Sequence, residues 1–449
     1  MIVPNFSEQG LQITAKPIGA VCNLGCTYCY YLAKKNLYPN NRRWRMSERT
    51  LAAYVCQQIE AQPAAVGEIH FNWQGGEPTL LGLGFFRSVV KIQQQHVPPG
   101  KRITNSLQTN GTLLTDAWCE FLRKHNFLVG ISIDGPAELH DAYRLDKRGR
   151  PTHNKTEQGL KLLNKHGVEH NVLVVVNRRN GEWPLEVYRF CKRQGVKFIQ
   201  FIPLVERLGS TGQSVSNTRL ASDGQSPIDL VTKCSVRPRQ FGNFLIAIFD
   251  EWLRHDVSRV FVQIFDQVLA AWCGQSPSLC IFQKHCGRCL ALEHNGDLYS
   301  CDHFVEPEYK LGNIYQQPIS GLANSESQQQ FGSTKESSLP RYCRDCDFRF
   351  ICNGECPRNR FAGTPEREPG LNYLCEGYRR FFKHVEPVMA EMAVELRHGR
   401  PVVNVMHRRN AAKSGFRKQS VSEGHTIGRN APCLCGSGHK YKRCCGQRI

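Results

Sequence analysis

The chain has 449 residues, 41% of them hydrophobic, which is enough for a large core and, as a soft prior, for two to three domains. No apolar run reaches the roughly 18 residues of a membrane span, and "MIVPNFSEQGLQIT" lacks a basic start followed by an apolar run, so a soluble cytoplasmic protein is expected. The net charge of +19 is uneven: residues 398–449 hold eleven Lys or Arg against one acid, Glu423, so this tail carries +10 and the other 397 residues only +9, which argues against a nucleic-acid surface over the whole chain.

Residues 12–205 alternate strand-like and helix-like segments. Strands are expected near 12–21 and in "HFNWQGG", "ITNSLQTNG", "LVGISIDG", "HNVLVVVN" and "KFIQFIP", which are short, apolar and rich in branched or aromatic residues. Between them "SERTLAAYVCQQIEAQ", "LGFFRSVVKIQQQH", "TDAWCEFLRKHN", "TEQGLKLLNKHG" and "PLEVYRFCKRQG" read as helices, several ending in Gly or Asn. Six β/α units predict an α/β fold with a parallel sheet curled into a partial or full barrel. "QGGEP", "QTNG" and "SIDGP" fall at strand ends, the rim where such barrels place their chemistry. Residues 206–236 read as a long Ser/Thr/Gly-rich loop, followed by a helix over 238–255. From Cys280 to Cys375 cysteines dominate and periodicity fades, until a helix over 376–397. The resulting divisions are a barrel over 10–237, a cysteine-rich domain over 238–397, a basic linker over 398–425 and a small module over 426–449.

The chain has 21 cysteines, many at short spacings in a long sequence without an export signal, a pattern that favours metal ligation over disulfides. "CNLGCTYC" places Cys22, Cys26 and Cys29 at C-x3-C-x2-C with no fourth nearby. In a cubane iron–sulfur cluster each iron ordinarily takes one protein ligand, so three cysteines leave one iron open. An open metal position marks a site that binds a reactant. Taken alone, the loop also reads as a zinc knuckle short of one ligand. With Tyr28 before the third cysteine and "NWQGGEPTL" at the end of the next strand, it resembles the radical S-adenosylmethionine (SAM) superfamily. That resemblance implies a 4Fe–4S cluster whose open iron chelates SAM. It further implies SAM contacts from Gly75 and Gly76, from Glu77 to the ammonium, and from Ser132, Arg144 and, near the adenine, Leu204.

Further on, Cys286, Gly296 and Cys301 fit C-x9-G-x4-C, Cys343, Cys346, Cys352 and Cys356 fit C-x2-C-x5-C-x3-C, and Cys375 follows alone. This is similar to the SPASM extension of radical SAM enzymes that modify peptides. With Cys280 the eight cysteines suffice for two fully ligated 4Fe–4S clusters, suited to electron transfer; zinc at "CRDC" and its neighbours is the other reading. The family pattern assigns Cys280, Cys286, Cys301 and Cys356 to one cluster and Cys343, Cys346, Cys352 and Cys375 to the other. Cys289, a possible neighbour of a cluster, is left out of both.

Together "CNLGCTYCYYLAK", "WQGGEPTL", "SIDGPAELHDAYR", "GDLYSCDHFV" and "CNGECPRNR" resemble the anaerobic sulfatase-maturating enzymes over about residues 10–395. The resemblance implies oxidation of a Cys or Ser in a C/S-x-P/A-x-R motif of a sulfatase polypeptide to Cα-formylglycine, with an external electron donor such as flavodoxin or ferredoxin. It places the catalytic base at Asp302, directly after Cys301; Gln74 and Tyr31 are weaker candidates for touching the peptide. The last segment holds Cys433, Cys435, Cys444 and Cys445, four soft ligands that suit one tetrahedral Zn2+. It resembles the SEC-C module, and its basic residues suggest docking near ribosomes or export machinery. Two other classes remain open: a related SPASM maturase that crosslinks a peptide, and a zinc-rich adaptor docking on RNA, which leaves "WQGGEPTL" unexplained.

Overall fold

The computed structural model describes residues 10–40, 44–208, 214–215, 230–413 and 440. Cys433, Cys435, Cys444 and Cys445 lie outside them, as does most of the expected 206–236 loop. The chain divides into two compact units, Met1–Val402 and Val403–Ile449. In the second, Val403–Lys413 is helical, inside the stretch expected as a linker.

Six parallel strands pair in chain order: β1 (Gln12–Lys16), β2 (Glu68–Trp73), β3 (Arg102–Thr109), β4 (Phe127–Ser132), β5 (His170–Val176) and β6 (Phe198–Pro203). β1 stops well short of the expected residue 21 because Pro17 has no N–H to continue the ladder. Between the strands lie α1 (Glu48–Glu60), α2 (Gly82–His96), α3 (Asp116–Lys124), α4 (His153–Lys165) and α5 (Pro184–Arg193). Ser47 caps α1 by accepting from the Thr50 N–H, and Thr115 caps α3 by accepting from that of Trp118. The core between sheet and helices is aromatic: Trp73 stacks on Phe71, and Tyr54 and Phe86 meet it edge-on.

β1 and β6 do not pair, so the barrel is open, and each open edge is extended. Beside β6 runs β7 (Phe261–Val262), which leads into the helix Gln263–Trp272. Beside β1 runs β8 (Cys289–Glu293), parallel to it, followed by antiparallel β9 (Asp297–Tyr299) and β10 (Lys310–Asn313). The segment after Cys280, expected to lack periodic structure, thus continues the same ten-stranded sheet. Three to five residues per strand are too few for a period to register, yet "NG" at Asn295–Gly296, with Gly296 at φ 90°, is a hairpin signal. The expected division at 237/238 falls within one unit, across a continuous sheet. No helix among the described residues is long and apolar enough to cross a membrane.

The helix Pro238–His255 packs on the helix Cys375–Arg397. A Cβ built on Gly377 would lie 2.1 Å from the Pro238 carbonyl oxygen, and one on Gly242 would lie 2.6 Å from that of Gly377. Gly377→Ala therefore forces these backbones apart. It should cost about 1–3 kcal/mol, read as a lower thermal midpoint by circular dichroism; an unchanged midpoint would show that the contact is slack.

Candidate active site

The cysteine loop is fixed by a backbone seam. The N–H of Gln74 donates to Ala15 O (2.9 Å), that of Gly76 to Gly19 O (2.7 Å) and that of Glu77 to Val21 O (2.9 Å). A Cβ on Gly76 would sit 1.9 Å from the Val21 oxygen, so a side chain there cannot coexist with the seam. Gly76, one of the two glycines expected to contact SAM, thus makes a close backbone approach to the cysteine loop itself. Past the seam Cys22, Cys26 and Cys29 line a cavity of about 440 Å3, within the size range of small-ligand sites. Burial pushes the Cys22 thiol up to about 11 and the Cys26 thiol up to about 12, the latter opposed chiefly by Arg144. Thiols so placed become thiolates only when a metal cation arrives, which fits a cluster site and not an exposed nucleophile.

Tyr28, Gly75, Gly76, Ser132, Arg144 and Leu204 all line this cavity. Ser132 Oγ accepts from Gln108 Nε2 (3.0 Å). Arg144 donates through Nε to Asp134 Oδ2 (2.9 Å), and its guanidinium lies 5.5 Å from the centre of the Tyr28 ring. Glu77 is placed differently from these residues. It is buried outside the cavity lining: Oε1 accepts from Thr79 N (3.0 Å), Thr79 Oγ1 (2.5 Å) and Thr109 Oγ1 (2.7 Å), and Oε2 from Asn110 N (2.7 Å). A buried carboxylate needs several donors, and here the turn after β2 and the end of β3 supply them. Glu77 thus ties the turn after β2 to the end of β3, directly behind the Gly75–Gly76 backbone.

Asp302 lines the same cavity. Lys16, 2% exposed at the end of β1, brings Nζ to 2.5 Å from Asp302 Oδ1 and donates to Gln74 Oε1 at 2.8 Å. Its ammonium also stands 4.6 Å over the Tyr31 ring. Tyr30 donates its hydroxyl to Asp302 Oδ2 (3.2 Å). Burial acts to raise the Asp302 carboxyl, but Lys16, His303 and the Tyr30 hydroxyl outweigh it, leaving it below its ordinary range. Gln74 and Tyr31 both line the cavity. The Tyr31 hydroxyl, however, is engaged with Glu293, which pairs with Lys16 across the β1–β8 ladder. Arg358 completes this wall, 4.9 Å from the Tyr30 ring centre and bonded to Glu206 Oε1 (2.8 Å). Sequence reasoning missed Lys16, Tyr30, Asp134 and Arg358. Tyr30, Asp134 and Arg358 each lie inside a quoted motif, in "CNLGCTYCYYLAK", "SIDGPAELHDAYR" and "CNGECPRNR", whereas Lys16 stood beside no signal.

The eight later cysteines fall into two groups by which thiols act on which. Cys280 lies near enough to act on Cys286, Cys301 and Cys356, while Cys343 acts on Cys352 and Cys375, and Cys346 on Cys343 and Cys375. Cys289 joins the first group through a hydrogen bond with Cys280. No three His, Cys, Asp or Glu among the described residues converge tightly enough to hold a single ion. A cubane, taking one thiolate at each iron corner, needs its ligands spread around a larger body. Two buried cations lie among these thiols. Lys335 donates to the carbonyls of Cys280 (2.7 Å) and Ile281 (2.8 Å), and Arg360 to those of Gly354, Lys335, Asn353 and Glu355.

Comparison with known proteins bears on the same segments. The radical SAM superfamily profile matches residues 17–191, an iron–sulfur cluster-binding (SPASM) domain matches 280–347, and the SEC-C motif matches 429–447. The serine-type anaerobic sulfatase-maturating enzyme of Bacteroides thetaiotaomicron is 48% identical over 408 residues, covering 91% of this chain and 96% of its own. The chain belongs to the anaerobic sulfatase-maturating enzymes. It is a radical SAM oxidoreductase. The cysteine-type maturating enzyme of Clostridium novyi is 32% identical over 382 residues, covering 84% of this chain and 95% of its own. The solved structure of native anSMEcpe with bound AdoMet and Cp18Cys peptide superposes at a TM-score of 0.73 with 31% identity, covering 86% of this chain and all of that one.

In this sulfatase-maturating enzyme the seam makes a direct test possible. Gly76→Ala should displace the Val21 carbonyl at a cost of about 1–3 kcal/mol, borne by the loop that carries Cys22. Iron bound after anaerobic reconstitution should then fall by about the content of one cluster. Full iron content with an unshifted cluster spectrum would mean that the loop tolerates the side chain.

Proposed function

We propose that this enzyme converts a Ser or Cys side chain in a C/S-x-P/A-x-R motif of an unfolded or nascent sulfatase to Cα-formylglycine. The observation that carries the reading is Asp302: it directly follows Cys301 and faces the same cavity as Cys22, Cys26 and Cys29, held by Lys16. Cys22, Cys26 and Cys29 are assigned to a SAM-binding 4Fe–4S cluster. Cys280, Cys286, Cys301 and Cys356 are assigned to one auxiliary cluster, and Cys343, Cys346, Cys352 and Cys375 to a second. When bound, the open cluster and SAM would supply a 5′-deoxyadenosyl radical able to take a hydrogen atom from Cβ of the target, and auxiliary clusters would offer an acceptor for the remaining electron.

The chain's own groups bind, orient and move a proton. Tyr28, the Gly75–Gly76 backbone, Ser132, Arg144 and Leu204 hold SAM; the Arg144 fork suits its carboxylate. Asp302 takes the proton from the target hydroxyl or thiol as the Cβ–H bond is lost, giving an aldehyde from Ser or a thioaldehyde from Cys, which water converts to the aldehyde with release of sulfide. Lys16 and Tyr30 each fix one carboxylate oxygen and so aim the base. Serine is the favoured target, since the Bacteroides relative at 48% identity is serine-type.

The barrel over 10–237 and the cluster domain over 238–397 would act as one catalytic body, in the cytoplasm, with reducing electrons from a flavodoxin or ferredoxin. The module over 426–449, beyond the linker of 398–425, would hold Zn2+ through Cys433, Cys435, Cys444 and Cys445 and bring the enzyme to ribosomes or export machinery.

Mass spectrometry of C-x-P-x-R and S-x-A-x-R peptides, incubated anaerobically with reconstituted enzyme, SAM and reductant, tests the reaction. An aldehyde is expected, and Asp302→Asn should lower its formation by about 10²–10⁴-fold while SAM is still cleaved. Undiminished product in the variant would remove Asp302 as the base. SAM cleavage with neither peptide altered would favour a maturase that crosslinks another peptide. For the tail, metal analysis should find about one zinc per chain, lost on Cys433→Ser. Deleting 426–449 should reduce sulfatase modification in cells, and an unchanged level would end the docking idea.

A further inference from the structure

Asp134 has no assigned role, and its surroundings are unusual for a structural carboxylate. It follows β4 by two residues and is fully buried. Its two oxygens accept from three different segments. Oδ2 takes the Tyr28 hydroxyl (2.5 Å), from between Cys26 and Cys29, and Arg144 Nε (2.9 Å). Oδ1 takes the Val175 N–H (2.9 Å), from β5. The last bond ties the carboxylate to the barrel frame, and the other two tie cavity-lining groups to the carboxylate.

The effect on Arg144 is specific. A guanidinium has five N–H donors in a rigid plane. Asp134 engages Nε alone, and Arg144 makes no other side-chain hydrogen bond among the described residues. The anchored Nε and the Tyr28 ring 5.5 Å away restrict how the plane can turn, and its terminal N–H groups remain for a ligand of the cavity that Arg144 lines. An arginine 6% exposed without its counter-charge would be an unpaired buried cation.

We propose that Asp134 is the positioning residue for SAM: it neutralises Arg144 and sets its guanidinium plane to receive the SAM carboxylate, while holding the Tyr28 ring against it. This rests on the reading that Arg144 contacts SAM. Asn at 134 keeps the volume but not the charge. Its oxygen cannot serve both Val175 and Arg144, and its amide turns a donor toward whichever it fails.

The test is SAM affinity of the reconstituted enzyme, read from the change that SAM causes in the EPR signal of the reduced cluster, for Asp134→Asn, Arg144→Met and the double variant. Iron content and thermal midpoint of each variant are the control on folding. Asp134→Asn is expected to weaken SAM by about 10- to 100-fold, the range of a lost charged hydrogen bond. Its KM for SAM should rise while its KM for peptide stays unchanged, and the double variant should be no weaker than Arg144→Met. An unchanged SAM affinity in Asp134→Asn would overturn the proposal, as would effects of the two substitutions that simply add. A loss of iron from Asp134→Asn would also overturn it, by assigning Asp134 to the cysteine loop alone; Tyr28→Phe, which removes only that bond, should then lose iron too. If Arg144→Met leaves SAM binding intact, the reading of Arg144 fails instead, and Asp134→Asn should likewise leave it intact.

Discussion

A lysine ammonium taken out of water must be paired and hydrogen-bonded, or the chain avoids burying it. Lys16 meets this condition with groups from three places: Asp302, Gln74 after β2, and the Tyr31 ring beyond the cysteine loop. No two of these are near in sequence to the third, so the ion pair forms only when barrel, loop and sheet extension are all in place. Removing one member of such a buried pair typically costs about 3–5 kcal/mol. The same requirement accounts for Glu293, opposite Lys16 on the neighbouring strand, and for the Tyr31 hydroxyl that satisfies it.

The auxiliary region follows related logic on a larger scale. Eight cysteines with burial-raised or closely neighbouring thiols would, once ligating, concentrate negative charge in a dry volume. Lys335 and Arg360 are buried between them, each held by backbone carbonyls that fix its position without cancelling its charge. Cluster potential responds to net charge, hydrogen bonding and exposure, so on the proposed assignment these cations would bear on how readily an electron is accepted there.

Much of this was legible in the sequence because it depends on local pattern. The strands β2 to β6 and their helices follow from short branched runs alternating with amphipathic ones, and the spacings of Cys22, Cys26 and Cys29 and of Cys343 to Cys356 are local too. The sheet extension was not legible, since β8, β9 and β10 are too short to show a period. Nor were Lys16, Asp134 and Arg358, whose roles are set by partners ten to hundreds of residues away. Glu77 is a different case. Its motif was conspicuous, but the bonds that its carboxylate accepts from Thr79, Thr109 and Asn110 were not. A motif names the residue, and burial decides which way its side chain is spent.

The adjacency of Cys301 and Asp302 has a consequence for timing as well as for place. Consecutive Cα atoms are held about 3.8 Å apart by the peptide bond. On the proposed reading, the group that accepts the proton and the group that leads to the electron acceptor are therefore joined by a covalent ruler. Breathing of the open barrel, or entry of a bulky peptide, can move the pair relative to the substrate but hardly relative to each other. A substrate that docks at the wrong depth would thus lose both exits together. That coupling would discourage half-reactions in which a proton leaves and a reactive radical is stranded.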